Sequence, residues 1–129
     1  MTNTLWLFNT TIITGLPPAT VGNGDDDSHR QMAAYTISAI TPAEARQIVE
    51  DALSKGESMV SAIGHDATAS AMSAILQSPV QVNRVQAEQA VGDRAICLKI
   101  RGRLPEGEIL GSEALEAIGY DLYLLRRQA

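Results

Sequence analysis

Residues 41–76 read TPAEARQIVEDALSKGESMVSAIGHDATASAMSAIL and encode a helix, a strand and a second helix in succession. Thr41-Pro42-Ala43-Glu44 is a capping box with proline at the first helical position. In it the Thr41 hydroxyl accepts from the Glu44 amide, and the Glu44 carboxylate reaches back to the Thr41 amide. Ala45, Ile48, Val49, Ala52 and Leu53 then recur at helical spacing as one apolar stripe, and Lys55-Gly56 supplies a basic last turn and a glycine stop. Ser58 to Ile63 is a short apolar run of strand length. Asp66 to Leu76 predicts a second helix, whose small Ala67, Ala71 and Ala74 permit close packing, with Pro79 beyond its end.

Working outward, Leu5-Trp6-Leu7-Phe8 is a continuous apolar run closed by the turn-prone Asn9-Thr10-Thr11, which predicts a buried strand. The stretch from Gly15 to Arg30 is dense in Gly, Pro, Asn and Asp and predicts an exposed loop over about 15–31. Met32 to Ile40 predicts the next strand. Asn83 to Glu88 and Arg94 to Gly102 read as two strands joined through Val91-Gly92-Asp93 as a hairpin. Leu104-Pro105-Glu106-Gly107 has the residues of a type I turn. Ser112 to Ile118 predicts a brief helix ended by Gly119, and Tyr120 to Arg126 a last strand. Strands and helices intermixed without an internal repeat predict an α/β (α+β) fold: one mixed sheet with helices packed on it, in a single domain over 1–129.

The chain has 129 residues, enough for one core that buries about two-thirds of the unfolded surface. Its one cysteine, Cys97, has no thiol partner in the chain, so a disulfide framework is excluded and a reducing cytoplasm suits it. The apolar runs are too short for a helical membrane span, and the N-terminus lacks the basic start of a signal peptide. Ten Lys plus Arg against fifteen Asp plus Glu give a formal charge of −5, which opposes attraction to long DNA or RNA but leaves room for a small anion in a local cationic pocket.

Three features bear on chemistry. In Ser61-Ala62-Ile63-Gly64-His65-Asp66-Ala67-Thr68 a strand ends at Gly-His where a helix begins, and a helix N-terminus offers unpaired amides and partial positive charge to a phosphate. Histidine is the side chain suited to moving a proton near neutral pH, and Thr68 adds a hydroxyl donor. The plainer alternative makes Asp66 the helix cap and His65 a linker residue. Second, Lys99, Arg101 and Arg103 alternate along one strand and share a face, with Arg84 as a further cation; the alternative is a solvated sheet face. Third, Glu106 follows Arg103 closely enough to share a site or to form a surface ion pair. Asp25-Asp26-Asp27 lacks the other ligands of an EF-hand, and zinc spacing, a Walker loop and a Gly-x-Ser-x-Gly elbow are all missing.

Leu7-Phe8-Asn9-Thr10, the Ile63-Gly64-His65 segment, Val82-Asn83-Arg84-Val85, Arg103-Leu104-Pro105-Glu106-Gly107 and Ile118-Gly119-Tyr120 occur in an order spanning nearly the whole chain. With these motifs the chain resembles the viral ring nucleases, the type III anti-CRISPR proteins that degrade cyclic tetra-adenylate. The resemblance implies a homodimer of small α/β subunits holding the cyclic ligand across its two-fold axis, with no metal or other cofactor. It maps the general acid onto His65, and an arginine and a glutamate near the scissile phosphate onto Arg103 and Glu106. Asn9, Thr68 and Arg84 fall on ligand-contacting positions, and Lys99 on a polar one. The implied activity is metal-independent cleavage of cyclic tetra-adenylate to linear di-adenylate ending in a 2′,3′-cyclic phosphate, in the host cell's cytoplasm, which would suppress type III CRISPR immunity. The competing expectations are a protein of the same fold that sequesters the nucleotide uncut, and a small module that binds protein.

Overall fold

The computed structural model describes residues 3–10, 33–102 and 112–129. The elements are β1 (Thr4–Phe8), β2 (Tyr35–Ile40), α1 (Pro42–Ser54), β3 (Ser58–Ser61), α2 (Asp66–Leu76), β4 (Arg94–Ile100), α3 (Ser112–Ile118) and β5 (Tyr120–Arg127). The strands form one mixed sheet in the order β2-β5-β4-β1-β3. β1 runs parallel to both β3 and β4, whereas β5 is antiparallel to β4 and β2. The expected mixed α+β fold is the observed one.

Period-two alternation divides the sheet into two unlike faces. Leu5 and Leu7 of β1 join Ile96 and Leu98 of β4 and Leu122 of β5 in one core cluster. All three helices feed that cluster, through Ala45, Val49 and Ala52 of α1, Met72 and Ile75 of α2, and Leu115 of α3. Phe8, Ala95, Cys97 and Leu125 form a second cluster with Ala87, flanked by partly buried Trp6, Tyr35, Ala62 and Tyr123. Among the described residues no helical one belongs to it, so the three described helices pack on one face of the sheet.

The capping box of α1 is present in full, with Glu44 N donating to Thr41 Oγ1 and Thr41 N to Glu44 Oε1, both at 3.1 Å. At the other end Lys55 is itself the C-cap and Gly56 takes φ +75°. Gly56 N then donates to Leu53 O and Glu57 N to Ala52 O, the paired bonds of a Schellman stop. The expected basic last turn is therefore absent. Leu53 also departs from the stripe: it is 54% exposed, because the buried edge of α1 is set by Ala45, Val49 and Ala52.

The expected hairpin of Asn83–Glu88 with Arg94–Gly102 is replaced by another path. Residues 79–90 carry no strand. Asn83 is bound to the carboxyl end of β3 through its N–H to Ile63 O and its Nδ2 to Ser61 O, both 2.8 Å. From there the chain crosses the helix-free face, where Ala87 packs in the second cluster, and enters β4 at its amino end. Two anchors on different strands leave this segment no partner for a continuous ladder. Smaller differences are that β3 stops at Ser61, β4 stops at Ile100, β2 starts at Tyr35 and β5 extends to Arg127. The loop expected over 15–31 lies wholly outside the described residues, and so do Met32 and the turn expected at Leu104-Pro105-Glu106-Gly107.

Candidate functional site

Three parallel strands end together on one side of the sheet. Leu7 of β1 pairs with Ser61 of β3, and Phe8 pairs with Cys97 of β4. Asn9, the Ala62–His65 linker and Lys99 therefore follow the same carboxyl edge, the place where sheets of this kind receive ligands. The ladder persists one step past β3, with Ala62 N donating to Leu7 O at 2.9 Å. It then gives way, and Ile63, fully buried, fixes the linker in the core.

His65 is exposed and is the N-cap of α2, with φ −126° and ψ 132°. Asp66, expected as a cap in the plainer reading, is instead the first helical residue and places acid in the first turn. The imidazole makes no capping hydrogen bond, whereas the His65 carbonyl accepts from Ala69 N at 3.0 Å. The ring is thus tied to α2 through backbone alone. Thr68 follows three residues later, on the same helical face and half-buried.

Arg84 reaches this linker from the segment that follows α2. Its Nε donates to Gly64 O at 3.1 Å, one residue before His65. The stem lies close over Gly64, since a Cβ at that position would be 3.4 Å from Arg84 Cγ. A guanidinium and an imidazole are thereby set on adjoining stretches of backbone. Nearby, Ser61 Oγ accepts from Ile63 N at 3.2 Å, and a groove of about 530 Å³ runs between β3 and residues 79–83.

The cationic face on β4 is partly neutralised. Lys99 is exposed, and its register partner on β5 is Asp121. Arg101 donates to both carboxylate oxygens of Asp121, from Nε at 3.1 Å and from a terminal nitrogen at 2.5 Å. Hydrogen bonding and charge from Arg101, with Lys99 adding attraction, hold the Asp121 carboxyl below its usual range, while Asp121 raises Arg101 further. Arg101 is thus an exposed cation engaged by Asp121, in line with the solvated-face alternative, and Lys99 is an exposed cation beyond the end of β1 at the carboxyl edge of the sheet. Asn9 is half-buried at the end of β1. Arg103 and Glu106 lie outside the described residues.

Sequence reasoning passed over two residues that organise this end and its opposite. Asn83 was legible only as the neighbour of Arg84, although an asparagine inside a supposed strand is itself a signal against that strand. Asp93, read as part of a turn, is 4% exposed and accepts from Thr4 N, Ala90 N and Trp6 Nε1 at 2.9, 2.9 and 3.2 Å. It joins the start of β1 to the start of β4. Among the described residues no group of three or more His, Cys, Asp and Glu is placed to hold a metal ion, and no helix is long and apolar enough to cross a membrane.

Comparison with known proteins places this fold among viral proteins. The chain is 39% identical over 98 residues to the uncharacterised protein ORF117 of Acidianus two-tailed virus, covering 75% of this chain and 81% of that one. It is 34% identical over 93 residues to the uncharacterised protein 26 of Sulfolobus islandicus filamentous virus, covering 70% and 75%. Among solved structures, B116 of Sulfolobus turreted icosahedral virus superposes with a TM-score of 0.72 over 95% of this chain and 98% of its own, at 22% identity, an agreement of fold. Residues 5–122 match the family described as STIV B116-like, and the chain belongs to that family.

Proposed function

We propose that this protein is a metal-independent ring nuclease that cleaves cyclic tetra-adenylate and so suppresses type III CRISPR immunity. The observation that carries the reading is the bond from Arg84 to the Gly64 carbonyl, which seats a cation beside exposed His65 at the carboxyl edge of the parallel strands. In the reaction a ribose 2′-oxygen attacks its neighbouring phosphorus. The O2′–P bond forms, the P–O5′ bond breaks, the hydroxyl proton passes to solvent or a base, and His65 protonates the departing 5′-oxygen. Arg84, Asn9, Thr68 and Lys99 hold the ligand. In this proposal Arg103 stabilises charge on the pentacoordinate phosphate, and Glu106 orients Arg103 or tunes the protonation of His65. The product is linear di-adenylate with a 2′,3′-cyclic phosphate.

The protein acts as a homodimer in this reading. Two copies of His65 related by a two-fold axis would face opposite linkages of a four-membered ring, which accounts for two dinucleotides per ligand. Sedimentation should then give twice the chain mass. The catalytic assignment is tested with His65→Ala: the folded variant is expected to bind cyclic tetra-adenylate but to lose about 10²–10⁴ in cleavage rate. Cleavage at the parental rate would refute the role of His65. Binding without cleavage by the parent itself would favour a sequestering protein.

A further inference from the structure

Asn83 makes two bonds to the strand that leads into His65, and the residue after it makes a third. Its N–H donates to Ile63 O and its Nδ2 to Ser61 O, both at 2.8 Å, and Arg84 Nε donates to Gly64 O at 3.1 Å. These three acceptors are the carbonyls of residues 61, 63 and 64, all within four residues of His65. Among the described residues the strand β3 is the sheet edge, and no other described strand pairs with it on that side. Arg84 is exposed, and a long exposed side chain samples many rotamers unless its backbone is held. Of the two bonds from Asn83, only the one from Nδ2 depends on the side chain.

We infer that Asn83 is a positioning residue: it clamps the Arg84 backbone to the end of β3 and thereby fixes the guanidinium relative to His65. This inference rests on the ring-nuclease reading for its consequence, since the group being positioned is one of those that hold the ligand. Misplacement by about 1 Å can cost about a hundredfold in rate, so a clamp on the residue next to Arg84 and on the strand leading into His65 is enough to matter. The side chain of Asn83 itself touches no substrate in this account.

The test uses Asn83→Asp, which keeps the size and the backbone bond but turns the Nδ2 donor into an acceptor facing the Ser61 carbonyl. Single-turnover cleavage of cyclic tetra-adenylate is measured for the parent, Asn83→Asp, Arg84→Ala and the double variant. Asn83→Asp is expected to slow cleavage about tenfold to a hundredfold, and the double variant to be no slower than Arg84→Ala alone. Effects that multiply would overturn the inference, because a general structural loss is independent of Arg84. A second measurement needs no ligand: the ¹⁵Nε–H resonance of Arg84 should be displaced in the parent and move to the free-arginine position in Asn83→Asp, with the backbone amide spectrum otherwise retained. An unchanged Arg84 resonance would also overturn it. Should Asn83→Asp not fold, Asn83→Ser removes the amide without adding charge and is read by the same two measurements. If the parent fails to cleave, the ring-nuclease reading falls, while the Arg84 resonance still decides whether Asn83 does the positioning.

Discussion

Asp93 shows how one side chain joins two strands that meet only through the sheet. Its carboxylate receives the amides of Thr4 and Ala90 and the indole N–H of Trp6, and Gln89 Nε2 donates to its carbonyl. Removing the carboxylate leaves three of these donors, the Thr4 and Ala90 amides and the Trp6 indole, without their acceptor, and because these bonds are part-buried each loss costs about 1 kcal/mol, the low end for an unsatisfied group. Asp93→Ala should therefore lower stability by about 2–4 kcal/mol in urea unfolding, and Trp6 fluorescence should shift in the folded state. A change under 1 kcal/mol would contradict this role. At the surface, Arg101 and Asp121 give a different kind of effect. The folded Asp121 carboxyl is held below its usual value of 3.8 by Arg101, so its contribution is present above that value and fades as pH falls through the lowered one. Asp121→Asn should flatten the acid side of the stability profile below pH 3.8 while changing neutral stability little, since the pair is exposed. Acid and neutral unfolding midpoints measured for both proteins check the sign.

The elements differ in how much of their form is local. The capping box of α1 is written in four consecutive residues, and both of its bonds are present. Thr41→Ala should cost about 0.5–2 kcal/mol in thermal or urea unfolding. Cleavage should be untouched, because that helix end holds none of the proposed site residues. Local signals also located β1, β3, α2, α3 and β5, with ends off by one or two residues at most for β1, β3 and β5. The segment at 79–93 was not legible because its partners are distant. Asn83 bonds to residues 22 and 20 positions earlier, and Ala87 packs against strands from both ends of the chain. Val82, Val85 and Val91 give it a strand-like look, yet all three are exposed, since no ladder forms to cover them. The candidate site was legible in part. Gly64-His65 at a strand-to-helix junction and the cation at Arg84 could be read from types and spacing. The clamp by Asn83 and the diversion of Arg101 onto Asp121 depend on cross-chain contacts that spacing does not contain.

At the scale of the molecule, the topology gives the site its place. β3, β1 and β4 are parallel and end on one edge, and the chain leaves that edge at Asn9, at Gly64-His65 and after Lys99. The helices cover one face, and the crossing segment with Ala87 packs on the other. The fold is thus a rigid frame whose polar and cationic groups gather where the parallel strands stop, and the proposal of ring cleavage rests on that gathering. The most direct measurement is a chromatographic time course of cyclic tetra-adenylate with this protein in excess EDTA, with product masses determined. The account predicts linear di-adenylate ending in a 2′,3′-cyclic phosphate, formed by the parent and lost with His65→Ala. An uncut ring after prolonged incubation with folded protein would contradict it.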